Sequence, residues 1–273
     1  MKRERTRINL NLIIGSAILL FFLFIMVLSF FYTPYDVSAI HVSDKLQSPN
    51  GAHWLGTDKF GRDILSRVMK STQTAFLVGA IVVVMGLVIG TFIGGIAGYF
   101  GGVVDEVIMR FVDALMAFPG IILAIMIVSV FGTGIINTAL ALGILAIPSI
   151  ARIARSGFIQ NKELDYVIAA KALGLHPVKI IFKEILPNVY SPLLVAGSIA
   201  FAVALLAETS LSYLGLGVQP PDPSLGLMLS EAQEYLTDDP WYALAPGITI
   251  SLLVLSFYMI SNGLRDVTDR RLK

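Results

Sequence analysis

The sequence predicts an all-α polytopic membrane protein with six transmembrane helices, and composition and charge distribution carry that reading. Of 273 residues only 14% are charged while 56% are hydrophobic, and the mean hydropathy is +0.79; soluble domains carry about 25% charged residues. The charges are also missing over long runs. None occurs from Ser71 to Val104, from Ala114 to Ile150 or from Pro240 to Leu264, and Glu208 is alone between Ile185 and Pro221. Runs of about 20 apolar residues match a hydrocarbon core of ~30 Å. A backbone surrounded by lipid must satisfy its own hydrogen bonds, which makes such runs helices; the apolar–polar alternation of a β-barrel is absent.

The spans fall at about 10–31, 74–98, 110–131, 135–153, 191–213 and 242–263. The first follows a basic tail (Lys2, Arg3, Arg5, Arg7). Its apolar run is too long for the hydrophobic stretch of a signal peptide and no small-residue cleavage pattern follows, so it reads as a span. Lys and Arg favour the cytoplasmic side. They cluster in that tail, in the 152–190 loop and at the C-terminus, whereas the 214–241 loop has Asp222, Glu231, Glu234, Asp238 and Asp239 without one basic residue. Six spans with both termini cytoplasmic satisfy that count. The 33–73 loop, with Lys45, Lys59, Arg62, Arg67 and Lys70, runs against it. Phe60, Ile64, Leu65, Val68 and Met69 recur there at helical spacing, which predicts an amphipathic helix lying at the outer interface. Two regions result: 1–73, with the tail, first span and outer loop, and 74–273, a core of five spans.

Gly86, Gly90, Gly94 and Gly98 recur every fourth residue along the second span. Small residues on one stripe let helices approach closely, either within this chain or against a second membrane subunit. Glu208 stands alone inside a span; such residues are costly and mark candidate pathways, the alternative being a hydrogen bond to a neighbouring helix. Asp105, Glu106, Arg110 and Asp113 are expected to form charge pairs at the inner face. The 152–190 loop predicts a helix at 161–175, a break at His176-Pro177 and a helix resuming at 178–185. That pattern suits either docking into another protein or capping the bundle.

Residues of this loop resemble a known family. Tyr166-Val167-Ile168-Ala169-Ala170-Lys171-Ala172-Leu173-Gly174, followed by Ile185-Leu186-Pro187-Asn188, is similar to the EAA loop of the membrane subunits of binding-protein-dependent ABC importers. Ala169, Ala170, Gly174, Leu186 and Pro187 match in register. Ile168 stands where that family usually has Glu, and Glu184 where it has Ile or, in peptide permeases, often His. Further stretches resemble the C-type subunit of the dipeptide, oligopeptide and nickel group: His53 to Asp63 (HWLGTDKFGRD), Gly98 to Asp105 with Met109-Arg110, Asp113 and Ala117-Phe118-Pro119, Ser212 to Pro221 (SYLGLGVQPP), and Leu264-Arg265-Asp266 with Asp269, Arg271 and Leu272.

The resemblance implies a type I ABC importer permease fold in the cytoplasmic (inner) membrane of a prokaryote. It also implies partners: a second homologous permease subunit forming a heterodimer, two cytoplasmic ATPase subunits and an extracytoplasmic substrate-binding protein. A coupling loop at about 156–190 would pass ATPase movement to the spans through Ala169, Ala170, Gly174, Leu186 and Pro187. Gly56, Asp58, Gly61, Arg62 and Asp63 would fix a structural motif at the outer mouth, and Glu208 is the candidate for the translocation path. The expected cargo is a di- or oligopeptide, with nickel or a chelated metal as the alternative; an ATPase-independent transporter or channel is the reading from another class.

No catalytic set or metal site is expected. The chain has no cysteine and only His41, His53 and His176, which are scattered. It lacks the glycine-rich lysine loop that cradles nucleotide phosphates and the H-E-x-x-H pattern. ATP and magnesium are therefore expected in the partner ATPases, no cofactor in this chain, membrane lipid around it, and no nucleic acid.

Overall fold

The computed structural model describes residues 9–271; the basic residues of the tail and Leu272 of the closing motif lie outside them. Helices α1 (Leu10–Leu28), α2 (Ile64–Met85), α3 (Thr91–Phe100), α4 (Gly102–Met116), α5 (Gly120–Phe131), α6 (Ile135–Lys162), α7 (Asp165–Ala172), α8 (Pro177–Lys179), α9 (Leu186–Tyr213), α10 (Leu225–Ala232) and α11 (Pro240–Arg271) follow in chain order. Two π-helical segments, Gly86–Gly90 and Ile180–Ile185, join α2 to α3 and α8 to α9 without a break. Each of the two joined rods, Ile64–Phe100 and Pro177–Tyr213, is 37 residues long, about 55 Å at 1.5 Å per residue, so each outreaches a ~30 Å hydrocarbon core. Among the described residues five helical rods are long and apolar enough to cross a membrane, six if the bent pair α4–α5 counts as one span.

The spans are held together by close approach. All four glycines of the stripe face α6: a methyl group on Gly90 would sit 2.9 Å from the Ile147 carbonyl, and one on Gly98 2.7 Å from that of Arg155. The stripe therefore packs within the chain. The same device joins α1 to α11, where a methyl on Gly15 would meet the Ser256 carbonyl at 2.8 Å. Three apolar clusters form the core of the described residues. One holds Ile64, Phe76, Phe201, Tyr242 and Leu253, a second Val82, Ala124, Leu142 and Leu211, and the third Phe158, Val167, Ile180, Ile185 and Leu193. The first underlies the end carrying residues 33–63, called below the knot end; the third underlies α7.

Two expectations need correction. The amphipathic helix at the outer interface does not exist as a separate element. Its residues begin α2 and continue straight into the span, with Ile64 and Arg67 0% and 1% exposed. Hydropathy missed this because Arg67 and Lys70 interrupt the apolar run. The third span is not one rod from residue 110. It starts at Gly102, after a reversal at Gly101, and bends by 87° between α4 and α5. Phe118-Pro119 sits at the bend; proline lacks an N–H and pushes its predecessor out of the helical region.

Candidate functional site

A groove of about 450 Å³ opens between α5, α6 and α9, with one residue of α2. Its walls carry Ile121, Leu142, Leu145, Ile153, Ile199 and Val203, and Ser149 is the single polar side chain in the lining. The Ser149 hydroxyl donates to the Ala146 carbonyl at 3.0 Å, which commits its proton inside the helix. The groove thus offers an apolar, uncharged wall. Beside it, Val107 and Phe111 of α4 and Val130 of α5 are exposed.

At the opposite end from the knot, α7 lies across the ends of α6 and α9. Val167 and Ala170 are buried in the cluster with Phe158, Ile180 and Ile185, while Ile168 is 52% and Leu173 80% exposed. Ala169 and Gly174 are exposed beside them, so Ala169 and Ala170 face opposite ways. The helix ends in a defined cap. The Gly174 and Leu175 amides donate to the Lys171 and Ala170 carbonyls at 3.0 and 3.1 Å. This paired arrangement requires a left-handed residue, supplied by Gly174 at φ +74°. Tyr166 and Asn188 tie the two arms together, Asn188 Nδ2 donating to the Tyr166 hydroxyl at 3.0 Å. Leu186 and Pro187 are the first two residues of α9, directly after the π-helical segment Ile180–Ile185. Lys171 lies over the Tyr99 ring at 5.6 Å and Lys162 Nζ donates to the Gly98 carbonyl at 2.9 Å, linking α7 and the end of α6 to α3.

At the knot end the five expected motif residues come together and recruit five more. Asp58, 0% exposed, accepts from the Phe60 and Arg62 amides at 2.8 and 3.0 Å and from Arg62 Nε at 2.5 Å. Arg62 reaches on to Glu231 of α10 at 3.0 Å. Arg67, one turn into α2, lies 3.5 Å from Asp58 and 3.6 Å from Glu231, whose remaining contact is the Tyr242 hydroxyl at 2.8 Å. Two arginines and two carboxylates thus form a neutral set, with Asp58 and Arg67 buried and Arg62 and Glu231 half-buried, the arrangement that makes burial of charge tolerable. Asp63 caps α2, accepting from the Ser66 amide and hydroxyl at 2.8 and 2.6 Å and facing His53 Nδ1 at 2.9 Å. Gly56 (φ +81°) and Gly61 (φ +75°) turn the chain where side chains would strike the Gln47 and His41 carbonyls. Sequence reasoning had placed Arg67, Glu231 and Tyr242 in no site. The available signal was the helical phase of Arg67 with Ile64, Val68 and Ser71, all buried.

Glu208 does not reach the groove. It is 1% exposed on α9, and accepts from the Ser212 hydroxyl at 2.7 Å. Ser212 Oγ in turn accepts from the Val218 amide at 3.1 Å, so the carboxylate fixes the turn that follows α9. Its signal was a serine four residues on, one helical turn away. The expected inner charges do pair, mostly across helices: Asp105 with Arg155 at 2.5 and 2.6 Å, Asp113 with Arg152 at 2.6 Å, and Glu106 with Arg110 within α4 at 3.5 Å.

The family described as binding-protein-dependent transport system inner membrane component matches residues 90–273. The dipeptide transport system permease protein DppC of Alkalihalophilus pseudofirmus is 40% identical over 261 residues, covering 96% of this chain and 86% of that protein. The glutathione transport system permease protein GsiD of Pectobacterium atrosepticum is 39% identical over 275 residues, covering 99% and 91%. Among solved structures, a chain of the MetNI methionine ABC transporter in an inward-facing conformation superposes with a TM-score of 0.55 at 19% identity, covering 75% of this chain and 95% of that one. That likeness shows the fold, a type I importer permease.

Proposed function

The chain belongs to the binding-protein-dependent transport system inner membrane components, and from that membership we propose that it forms one half of an ATP-driven pathway bringing small peptides into the cell. The α7 end faces the cytoplasm, as the lysines and arginines around it favour, and both termini lie on that side. Two ATPase subunits, which bind ATP and magnesium, meet α7. A second, homologous permease subunit covers the groove and the exposed apolar side of α4 and α5, completing a heterodimer. An extracytoplasmic substrate-binding protein delivers cargo at the knot end. This chain takes no cofactor and performs no chemistry of its own.

The observation that carries the coupling role is the two-sided character of α7. Val167 and Ala170 lock one side into the bundle, and Ile168, Ala169, Leu173 and Gly174 are left facing outward. Apolar side chains at the tip of a cytoplasmic loop have no lipid to enter, so they mark a protein contact. Peptide as cargo follows from relatives named for dipeptide and glutathione transport. Nickel is not favoured, because those names contain no metal system. An uncharged groove suits cargo of varied side chains, selection being left to the binding protein.

Uptake of labelled di- and oligopeptides, with labelled nickel in parallel, tests both parts in cells carrying the wild type or Leu173→Asp. The substitution lies on an exposed position and leaves the bundle intact. Wild-type cells are expected to take up peptide and not nickel. The variant is expected to reach the membrane normally, lose most peptide uptake and release the ATPase pair on purification. Full uptake by the variant would remove α7 from the coupling role.

A further inference from the structure

We propose that the paired charges Asp105–Arg155 and Asp113–Arg152 are positioning residues of the transport cycle, through which movement of α7 reaches the groove wall. This rests on the reading of α7 as the ATPase contact. The argument begins with how differently α3 and α4 are attached to α6. The α3 glycines approach the α6 backbone so closely that no side chain fits between them, so α3 and α6 move as one block. α4 has a single buried residue, Val112. Its outward residues Val103, Val107 and Phe111 are exposed, and packing alone does not fix it.

Charge does. Arg155 grips both oxygens of Asp105 at 2.5 and 2.6 Å, the two-pronged geometry that fixes orientation as well as distance. Arg152 holds Asp113 at 2.6 Å, about 12 Å further along α4 at 1.5 Å per residue. Two tethers that far apart set the tilt of α4 as well as its position. Their anchors lie on the last turns of α6 before Lys162, from which the chain passes into α7. The other end of α4 leads through the 87° bend at Phe118-Pro119 into α5, whose first residues Gly120 and Ile121 line the groove. A displacement of α7 and the α6 end therefore swings α4 through its arginine tethers, and the bend turns that swing into a shift of the groove wall. Mutations along such a link alter the coupling between sites while leaving the sites themselves untouched.

The test is the amount of peptide taken up per ATP hydrolysed by the complete complex in proteoliposomes. Asp105→Asn and Asp113→Asn together are expected to lower that ratio about fivefold. The exchanged pair D105R/R155D is expected to recover it to within about twofold, because the link needs the pair and not its polarity. A ratio that stays at the wild-type value in the double Asn variant would overturn the proposal. So would a loss that the exchanged pair leaves uncorrected, since Asp105 would then act through its surroundings. Should a change at Asp105 prevent assembly, Asp113→Asn and D113R/R152D carry the same comparison at a half-exposed site. A wild-type complex without ATP-driven peptide uptake would instead refute the transport reading beneath it.

Discussion

The knot end and the α7 end both hold residues that the family motifs single out, yet they are built by opposite means. At the knot, Asp58 and Arg67 are 0% and 1% exposed, and Asp58, Arg62, Arg67 and Glu231 each meet an opposite charge within 3.6 Å. At the α7 end the ion pairs are open to their surroundings, and the residues left outward are Ile168, Ala169, Leu173 and Gly174. A polar motif that satisfies itself inside the protein has nothing left to offer a partner, and its work is to fix backbone. A motif of small and apolar residues held at the surface is unfinished until something covers it. Motif residues of one family thus divide into buried ones that build the fold and exposed ones that this chain leaves uncovered.

The largest effect should come from breaking the knot. Arg67→Ala leaves Asp58 and Glu231 buried with one arginine between them, and stranding a buried charge costs about 3–5 kcal/mol. Arg152→Ala removes a pair whose side chains are 47% and 57% exposed, where pairs are worth about 0–1 kcal/mol. Thermal unfolding of the purified complex in detergent should show a marked drop for the first and almost none for the second. Equal drops would break the comparison, since the two ends would then be tied with similar strength.

Next in size is the cap of α7. Gly174→Val forces a branched side chain into a left-handed backbone, a cost of about 1–2 kcal/mol. Nothing lies within 4 Å of where its Cβ would be, so the cost is conformational and not steric. Hydrogen exchange at the Leu175 amide, bonded to the Ala170 carbonyl, should quicken by roughly 5- to 30-fold, and less for Gly174→Asn, which tolerates that conformation. The same cap means that a bulky residue at 174 would disturb α7 as well as its docking. Leu173→Asp is therefore the cleaner probe of the contact. An unchanged exchange rate in the valine variant would show that α7 is held by its buried side alone.

What was legible in the sequence follows the same division. The spans were, because lipid demands long uncharged helices and those runs are local. The glycine stripe was legible as a packing face but not as to its partner, because the spacing of Gly86 to Gly98 does not say which helix it meets. The start of α2 was hidden: Arg67 looks solvent-bound until Glu231, 164 positions away, is brought beside it. Glu208 was singled out for standing alone in a span, and its partner Ser212 lay one turn along the same helix. The bend of the third span was written in Phe118-Pro119, but hydropathy averages across a proline. Ala169, Ala170, Gly174, Leu186 and Pro187 were singled out by resemblance alone; spacing could not tell that Ala170 is buried while Ala169 and Gly174 are exposed.

The smallest effect sharpens the claim that carboxylates at the knot end are satisfied. Asp239, at the start of α11, is 1% exposed and is the exception. Burial pushes its carboxyl above the usual range, and the Trp241 amide pulls the other way without cancelling it. The folded chain therefore holds this proton at pH values where the unfolded chain, with an ordinary carboxyl near ~3.9, has lost it. Stability falls wherever the folded state binds more protons than the unfolded one. The penalty thus begins as pH rises through the ordinary carboxylate range and is complete once the folded group has ionised. Asp239→Asn keeps the shape of the side chain and carries no proton to lose. Its unfolding temperature should match the wild type at low pH and exceed it slightly at neutral pH. A variant less stable at neutral pH would mean that the charge at Asp239 stabilises the start of α11 more than its burial costs, and the contrast between the two ends would then have no exception.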